Sequence, residues 1–244
     1  MSTAKKAHVI KYWAVVPAAG VGSRMNTDIP KQYLEIRGRT LMEHTVQRLL
    51  DFPLLEKVVV VLDKDDDHYQ DIELLRDSRV MLAQGGAERY NSVLNGLESL
   101  NELAHDNDWV MVHDVARPCI RRSDLDWMVE QLKDHPVGGL LGHPVRDTMK
   151  RTGMDGGVSE TVERTSLWHA LTPQMFRVRQ LRDAISKAIN DKMPVTDEAS
   201  AMEYSGLQPM MIEGHSDNIK VTRGTDLALA SLYLEQQSKL IEIS

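Results

Sequence analysis

A chain of 244 residues, 42% of them hydrophobic, can bury a large core without covalent staples. Its formal net charge of −7 excludes broad nucleic-acid binding, which needs a dominant basic field. The single cysteine, Cys119, leaves no internal disulfide and reads as a small core residue, in keeping with a reducing compartment.

The opening MSTAKKAHVIKY holds no apolar stretch of signal-peptide length. The densest apolar run, Val58–Leu62, is far too short to span a bilayer, so a cytoplasmic protein away from membranes is expected. From there short apolar runs alternate with helical patterns, the rhythm of a parallel α/β sheet. Strands are predicted at Trp13–Pro17, Lys57–Leu62, Val80–Ala83, Trp109–His113 and Gly139–Gly142. A helix is predicted over Leu41–Phe52, with Thr40 and Glu43 spaced as a capping box. A second runs from about Glu88 to Leu103, and a third starts near Ser123 as its N-cap. All-parallel strands joined by helices bury both sheet faces, which suits the Val/Leu-rich runs.

The rhythm breaks after Pro144. Residues 145–167 are polar and alternating around Asp155-Gly156-Gly157, the pattern of a β-hairpin with too little apolar surface to be core. A projecting polar hairpin needs a partner, so a homodimer is expected. Helical patterns resume at Gln180–Ile189, Asp197–Tyr204 and Thr225–Leu240. Without repeats or a linker, residues 1–244 read as one domain with an inserted dimerisation arm at about 145–167.

In such sheets ligands collect at the carboxyl ends of strands, so the residues after each strand carry the chemistry. The first is followed by Ala18-Ala19-Gly20-Val21-Gly22-Ser23-Arg24, whose small residues let backbone N–H groups approach an anion. Arg24 can fork onto phosphate oxygens, and Lys31 adds a mobile charge after Pro30. The same stretch would also serve as a tight turn with two solvated cations. Position 25 is Met where a dinucleotide fingerprint wants a third Gly, and no P-loop Gly-Lys-Ser/Thr is present. After the third strand come Gly85-Gly86-Ala87-Glu88-Arg89 and then Ser92, room for a flat ligand with a hydroxyl in reach. After the fourth, Asp114 and Arg117 put a carboxylate and a cation on one rim. They suit sugar hydroxyls, a Mg²⁺ or a phosphate, or else a structural ion pair. The histidines form no zinc spacing, and no Gly-x-Ser-x-Gly elbow occurs. The remaining cations and hydroxyls, among them Thr148, Lys150, Arg164, Thr172, Thr196 and Lys220, suit two phosphorylated substrates and offer no general base. Nucleotidyl transfer onto a sugar phosphate, whose nucleophile is already an anion, fits that set.

Eight blocks in order then resemble one family. They are Pro17-Ala18-Ala19-Gly20-x-Gly22-x-Arg24-Met25, Pro30-Lys31-Gln32-Tyr33, Gly85-Gly86-x-x-Arg89-x-x-Ser92 and His113-Asp114-x-Ala116-Arg117-Pro118. The rest are Pro144-x-x-Asp147-Thr148-x-Lys150, Trp168-x-x-x-Thr172-Pro173-Gln174, Thr196-Asp197-Glu198 and Asn218-Ile219-Lys220-Val221-Thr222. Together they resemble the 2-C-methyl-D-erythritol 4-phosphate cytidylyltransferases, over residues 15 to about 233. The resemblance implies an α/β, Rossmann-like nucleotidyltransferase fold, a mostly parallel sheet flanked by helices with a projecting β-hairpin arm. It also implies a homodimer and a Mg²⁺-dependent reaction of CTP with methylerythritol phosphate that releases pyrophosphate, in non-mevalonate isoprenoid synthesis. By family roles, Arg24 and Lys31 are catalytic. Pro17, Ala18, Ala19, Gly20, Gly22, Gly85, Gly86 and Ser92 surround the nucleotide. Asp114, Arg117, Thr172, Thr196 and Lys220 line the sugar-phosphate pocket, and Thr148 and Arg164 come from the partner's arm. No protein metal ligand is expected, the ion being held mainly by CTP phosphates. Ala87 stands where some relatives carry an acid, which shifts base selection here to backbone groups. Within the fold, ribitol 5-phosphate is an alternative acceptor. A dinucleotide-dependent oxidoreductase is disfavoured by Met25 and by the lack of a fitting acidic residue, and a non-catalytic nucleotide-binding regulator leaves Arg24 and Lys31 unexplained.

Overall fold

The structure, a computed structural model, describes residues 8–20 and 29–241. Its centre is a seven-stranded sheet. In chain order the elements are β1 (Tyr12–Pro17), β2 (Glu35–Ile36), β3 (Arg39–Thr40), α1 (Leu41–Leu50), β4 (Leu55–Leu62), β5 (Val80–Gln84), α2 (Arg89–Glu98) and β6 (Trp109–Val112). Then come α3 (Arg122–Leu132), β7 (Gly138–Pro144), β8 (Met149–Thr152), β9 (Val158–Val162), β10 (Trp168–Arg177), α4 (Val178–Asn190), α5 (Glu198–Tyr204), β11 (Met210–Glu213) and α6 (Gly224–Ile241).

The strand order is β11-β7-β10-β6-β1-β4-β5. β1 pairs in parallel with β4 on one side and β6 on the other, so the chain winds outward through β4 and β5 and then returns to the far side of β1. That reversal is the switch point where such sheets open a crevice at the strands' carboxyl ends.

The period-2 alternation of the buried strands sorts their side chains into two cores. Ala14, Val16, Val58, Val60 and Met111 face one way, against α1 and α3. Trp13, Val15, Val59, Val61 and Val110 face the other, against α2, α4 and α5. A third, smaller cluster seats Ala230 and Leu234 of α6 against Ile36, Leu41 and Cys119, which buries the lone cysteine as expected. The capping box at Thr40 is present: the Thr40 hydroxyl accepts from the Glu43 amide and the Glu43 carboxylate accepts from the Thr40 amide.

The mostly parallel sheet implied by the resemblance is present. Three details differ from the reading of the residues: the strands are not all parallel, since β10 runs antiparallel to both β6 and β7. Its sequence hid it, because Pro173 interrupts the run and a proline ordinarily argues against an interior strand; the pairing with β7 shifts register between Ala170 and Gln174, and the Thr172–Pro173 bond is cis. β11 was also unread: at the sheet edge it buries only Ile212, so it lacks the continuous apolar run that marked β6. Finally, the N-cap of α3 is Arg121, not Ser123, which lies inside the first turn. The predicted hairpin forms as β8–β9, antiparallel, with its side chains largely exposed.

Helix α2 is held close to the sheet by Gly96, where an added Cβ would lie 2.6 Å from Val15 Cγ1 and 3.0 Å from Val61 Cγ2. Both are stiff β-branched side chains packed in the core. Gly→Ala in a helix is normally worth about 1 kcal/mol in favour of folding. Here we expect Gly96→Ala to destabilise instead, by about 1–2 kcal/mol from overpacking. The check is a lower urea midpoint at unchanged m-value; an equal or higher midpoint contradicts this packing.

Candidate active site

The crevice at the carboxyl ends of β1, β5 and β6 is a cavity of about 280 Å³. Its floor is the small-residue stretch Pro17–Gly20. The Ala18 amide donates to the Val61 carbonyl at 2.8 Å and the Gly85 amide to the Leu62 carbonyl at 2.7 Å, so the loops after β1 and β5 are pinned to the same strand, β4. They approach so closely that a Cβ on Gly85 would collide with Ala19 Cβ, which is why that position is glycine.

Lys31 lines the cavity from a 3₁₀ turn, Lys31–Tyr33. Two buried side chains of that turn fasten it. Gln32 donates through Nε2 to the Ala18 carbonyl at 2.8 Å, and the Tyr33 hydroxyl donates to Asp66 at 2.6 Å. The turn carrying Lys31 is thus tied to the loop after β1. Gly22 and Arg24 lie outside the described residues.

On the opposite wall, Gly86 and Ser92 bracket the start of α2. The Gly86 amide donates to Ser92 Oγ at 3.1 Å, and Ser92 Oγ donates to the Glu88 carbonyl at 3.3 Å. Ala87 lines the cavity with no polar side chain to offer.

The electrostatic centre is Asp114, just past β6. Arg89 holds its Oδ1 through Nε at 3.1 Å and Nη2 at 3.0 Å, and Lys220 holds Oδ2 at 2.9 Å. Arg117 Nε stands 3.5 Å from Oδ2. Burial opposes the charge on Asp114, but Arg89, Lys220 and Arg117 outweigh it and hold the carboxyl well below the usual range. Behind Arg89, Glu198 forms a bidentate pair with it at 2.6 and 3.2 Å. Burial of Arg89 disfavours its charge, yet Glu198 and Asp114 together raise its pKa.

His113 is fully buried. Its Nε2 lies 3.0 Å from the Arg117 carbonyl, which can only accept, so Nε2 carries the proton. Nδ1 then accepts from the Thr172 hydroxyl at 3.0 Å. Burial lowers the His113 pKa to about 4. The Thr172 oxygen also accepts the Asp114 amide at 3.0 Å. Asn218 donates to the Thr172 carbonyl at 2.8 Å, and its own carbonyl accepts from Arg117 Nη1 at 2.9 Å. Arg117 Nε and Asn218 Oδ1 are buried without hydrogen-bond partners.

Pro17, Ala18, Ala19, Gly20, Lys31, Gly86, Ser92, Asp114 and Lys220 therefore meet around one cavity. Gly85, Arg117 and Thr172 sit directly behind its wall. Thr196 is exposed just ahead of α5, its amide donating to Ser200 Oγ at 3.1 Å. Thr148 and Arg164 flank the β8–β9 hairpin, exposed and away from the cavity wall of their own chain. Arg164 there donates to the Arg146 carbonyl. Sequence reasoning assigned no site role to Arg89, Glu198, His113 or Asn218. All four lay in quoted motifs, but contacts such as Arg89–Glu198, 109 residues apart, leave no spacing signal.

Among the described residues no group of three or more His, Cys, Asp or Glu could hold a metal ion. Two carboxylates line the cavity: Glu88, the N-cap residue of α2, and Asp114, which is already enclosed by three cations. These residues do not form a metal cage.

A mostly parallel sheet with helices on both faces and a switch-point crevice is the Rossmann-like fold of the nucleotidyltransferases, and similarity to known proteins puts this chain in that class. The family described as IspD: 2-C-methyl-D-erythritol 4-phosphate cytidylyltransferase matches residues 12–236. The chain is 50% identical to the 2-C-methyl-D-erythritol 4-phosphate cytidylyltransferase of Vibrio atlanticus (strain LGP32) over 93% of this chain and 96% of that one. It is 53% identical to the protein of the same name from Pseudomonas fluorescens (strain SBW25), over 88% and 92%. The crystal structure of Francisella tularensis 2-C-methyl-D-erythritol 4-phosphate cytidylyltransferase superposes with a TM-score of 0.81 at 33% identity, covering 91% of this chain and 99% of that one. The chain belongs to the 2-C-methyl-D-erythritol 4-phosphate cytidylyltransferase family.

The buried imidazole gives a pH prediction with a defined sign. An unfolded histidine takes its proton near pH 6.5, whereas folded His113 resists until about 4. The stability it contributes is therefore full above about 6.5 and is lost as pH falls toward 4. By NMR titration His113 should stay neutral, with its proton on Nε2, from pH 8 to 5; a midpoint near 6.5 would contradict its burial.

Proposed function

We propose that the protein transfers the cytidylyl group of CTP to 2-C-methyl-D-erythritol 4-phosphate, releasing pyrophosphate. One observation carries the reading beyond family membership: a single cavity joins Lys31 and the Pro17–Gly20 loop on one side to Asp114 and Lys220 on the other. A triphosphate over the loop and a sugar phosphate beside Asp114 would meet there.

The chemistry needs little from the protein but placement and charge. An oxygen of the sugar phosphate, already an anion, attacks the α-phosphorus of CTP. The new P–O bond forms as the bond from the α-phosphorus to the bridging oxygen breaks, and pyrophosphate leaves with that electron pair. Lys31, with Arg24, neutralises charge building on the phosphoryl oxygens. Lys220 and Arg117 draw the acceptor phosphate toward the rim, and Asp114 accepts from sugar hydroxyls. Mg²⁺, expected to be held mainly by the CTP phosphates and not by side chains here, would supply further charge neutralisation. Gly86, Ser92 and the loop backbone enclose the cytidine, and base choice rests on backbone groups beside Ala87. We place the work in the cytoplasm as part of this proposal, in keeping with water-soluble substrates; among the described residues no helix is long and apolar enough to cross a membrane.

The active unit is a homodimer formed through the β8–β9 arm. Met149, Met154 and Val158 expose apolar surface on that hairpin, which a second copy would cover. Thr148 and Arg164 then act in the partner's site.

The reading is tested by pyrophosphate release with each of the four NTPs crossed against methylerythritol phosphate and ribitol 5-phosphate. CTP with methylerythritol phosphate should be the best pair. Faster turnover with ribitol phosphate reassigns the acceptor, and turnover with none overturns the enzyme reading. Lys31→Ala should lower kcat by about 10²-fold or more, as expected when a preorganised charge stabiliser is removed. Near-normal kcat in a folded variant contradicts that role. Mixing Arg164→Ala subunits with Lys31→Ala subunits should restore part of the activity, and absence of rescue contradicts an arm that works across the dimer.

A further inference from the structure

Thr172 is the one residue assigned to the sugar-phosphate pocket whose hydroxyl is committed within the protein. It is 4% exposed and is not on the cavity wall. A hydroxyl has one proton to give, and His113 Nδ1 takes it at 3.0 Å. One lone pair of the same oxygen receives the Asp114 amide at 3.0 Å. The imidazole passes the chain on, with Nε2 3.0 Å from the Arg117 carbonyl. The circuit begins at the amide of Asp114 and ends at the carbonyl of Arg117, so it spans the short loop that carries both charged groups of the rim. It exists because β10 runs antiparallel beside β6, which brings Thr172 to the carboxyl end of β6 where His113 and Asp114 leave the sheet.

We propose that Thr172 and His113 are positioning residues that work as one unit: a hydroxyl–imidazole relay that fixes the Asp114–Arg117 loop for the acceptor phosphate, with Thr172 acting through Asp114 and not by touching substrate. His113 is wholly enclosed and reaches no ligand, so any effect it has on the acceptor passes through the loop. The inference rests on the function proposed above for its kinetic arm only.

The decisive experiment is a double-mutant cycle with Thr172→Val, which keeps the shape and removes the hydroxyl, and His113→Gln. Each single variant should raise KM for the acceptor phosphate by roughly 5- to 100-fold, the range for unpairing a buried polar group. The double variant should be no worse than the poorer single one, and Thr172→Ser should recover most of the loss. Multiplicative losses, or a normal KM in His113→Gln, overturn the relay and leave Thr172 as a direct contact. If His113→Gln does not fold, ¹⁵N NMR of ligand-free protein decides. Thr172→Val should shift the His113 Nδ1 resonance away from its hydrogen-bonded value and Thr172→Ser should not; an unmoved resonance in Thr172→Val overturns the relay. Absence of turnover in the wild type would overturn the proposed reaction while leaving this NMR test standing.

Discussion

The site depends on one carboxylate kept charged where burial alone would neutralise it. Asp114 is 7% exposed, and an unpaired carboxylate there would take up a proton instead of bearing the desolvation penalty. Arg89 on one oxygen and Lys220 on the other reverse that balance. Each partner arrives from a different part of the chain: Arg89 from the first turn of α2, Lys220 from the segment before α6. Ionisation of Asp114 therefore requires α2, the end of β6 and the segment before α6 to be assembled together. A buried ion pair is poor evidence for stability, since desolvation consumes much of the Coulombic gain. Its value here is geometric, because every strong donor around Asp114 is given a fixed direction before any substrate arrives.

Around that centre the charges alternate: Glu198, then Arg89, then Asp114, then Lys220 and Arg117. Two carboxylates against three cations leave the cluster positive by one, and Lys31 faces the same cavity. A chain with a net charge of −7 thus gathers a local positive field at the crevice where the proposed reaction brings two anions together. Preorganised charge of this kind stabilises a phosphoryl transition state without a nucleophile or general base from the protein.

Much of this was legible in the sequence for reasons that can be named. The Val58–Leu62 run suits a buried strand, and the small-residue stretch after Val16 suits either a close approach or a plain tight turn, between which the cavity it lines decides. Asp114 and Arg117 were found because the end of a strand is where such sheets place their chemistry. The rest was hidden by distance and by proline. Pro173 disguised β10, and with β10 went the antiparallel pairing that sets Thr172 against His113, 59 residues away. Glu198 read as the tail of a Thr-Asp-Glu block, since nothing local reveals that its carboxylate meets Arg89. Ser123 looked like a cap, but α3 starts two positions earlier than that reading allowed, and Arg121, its cap residue, spends its guanidinium on Asp217.

The central claim is that Asp114 is ionised before substrate arrives, held so by its three cations. The most direct measurement is a ¹³C NMR titration of the Asp114 side-chain carboxyl in the ligand-free protein. A carboxyl clamped as described shows no protonation step between pH 7 and 4. A midpoint at or above 4 would mean that burial wins over Arg89, Lys220 and Arg117, and would contradict the account.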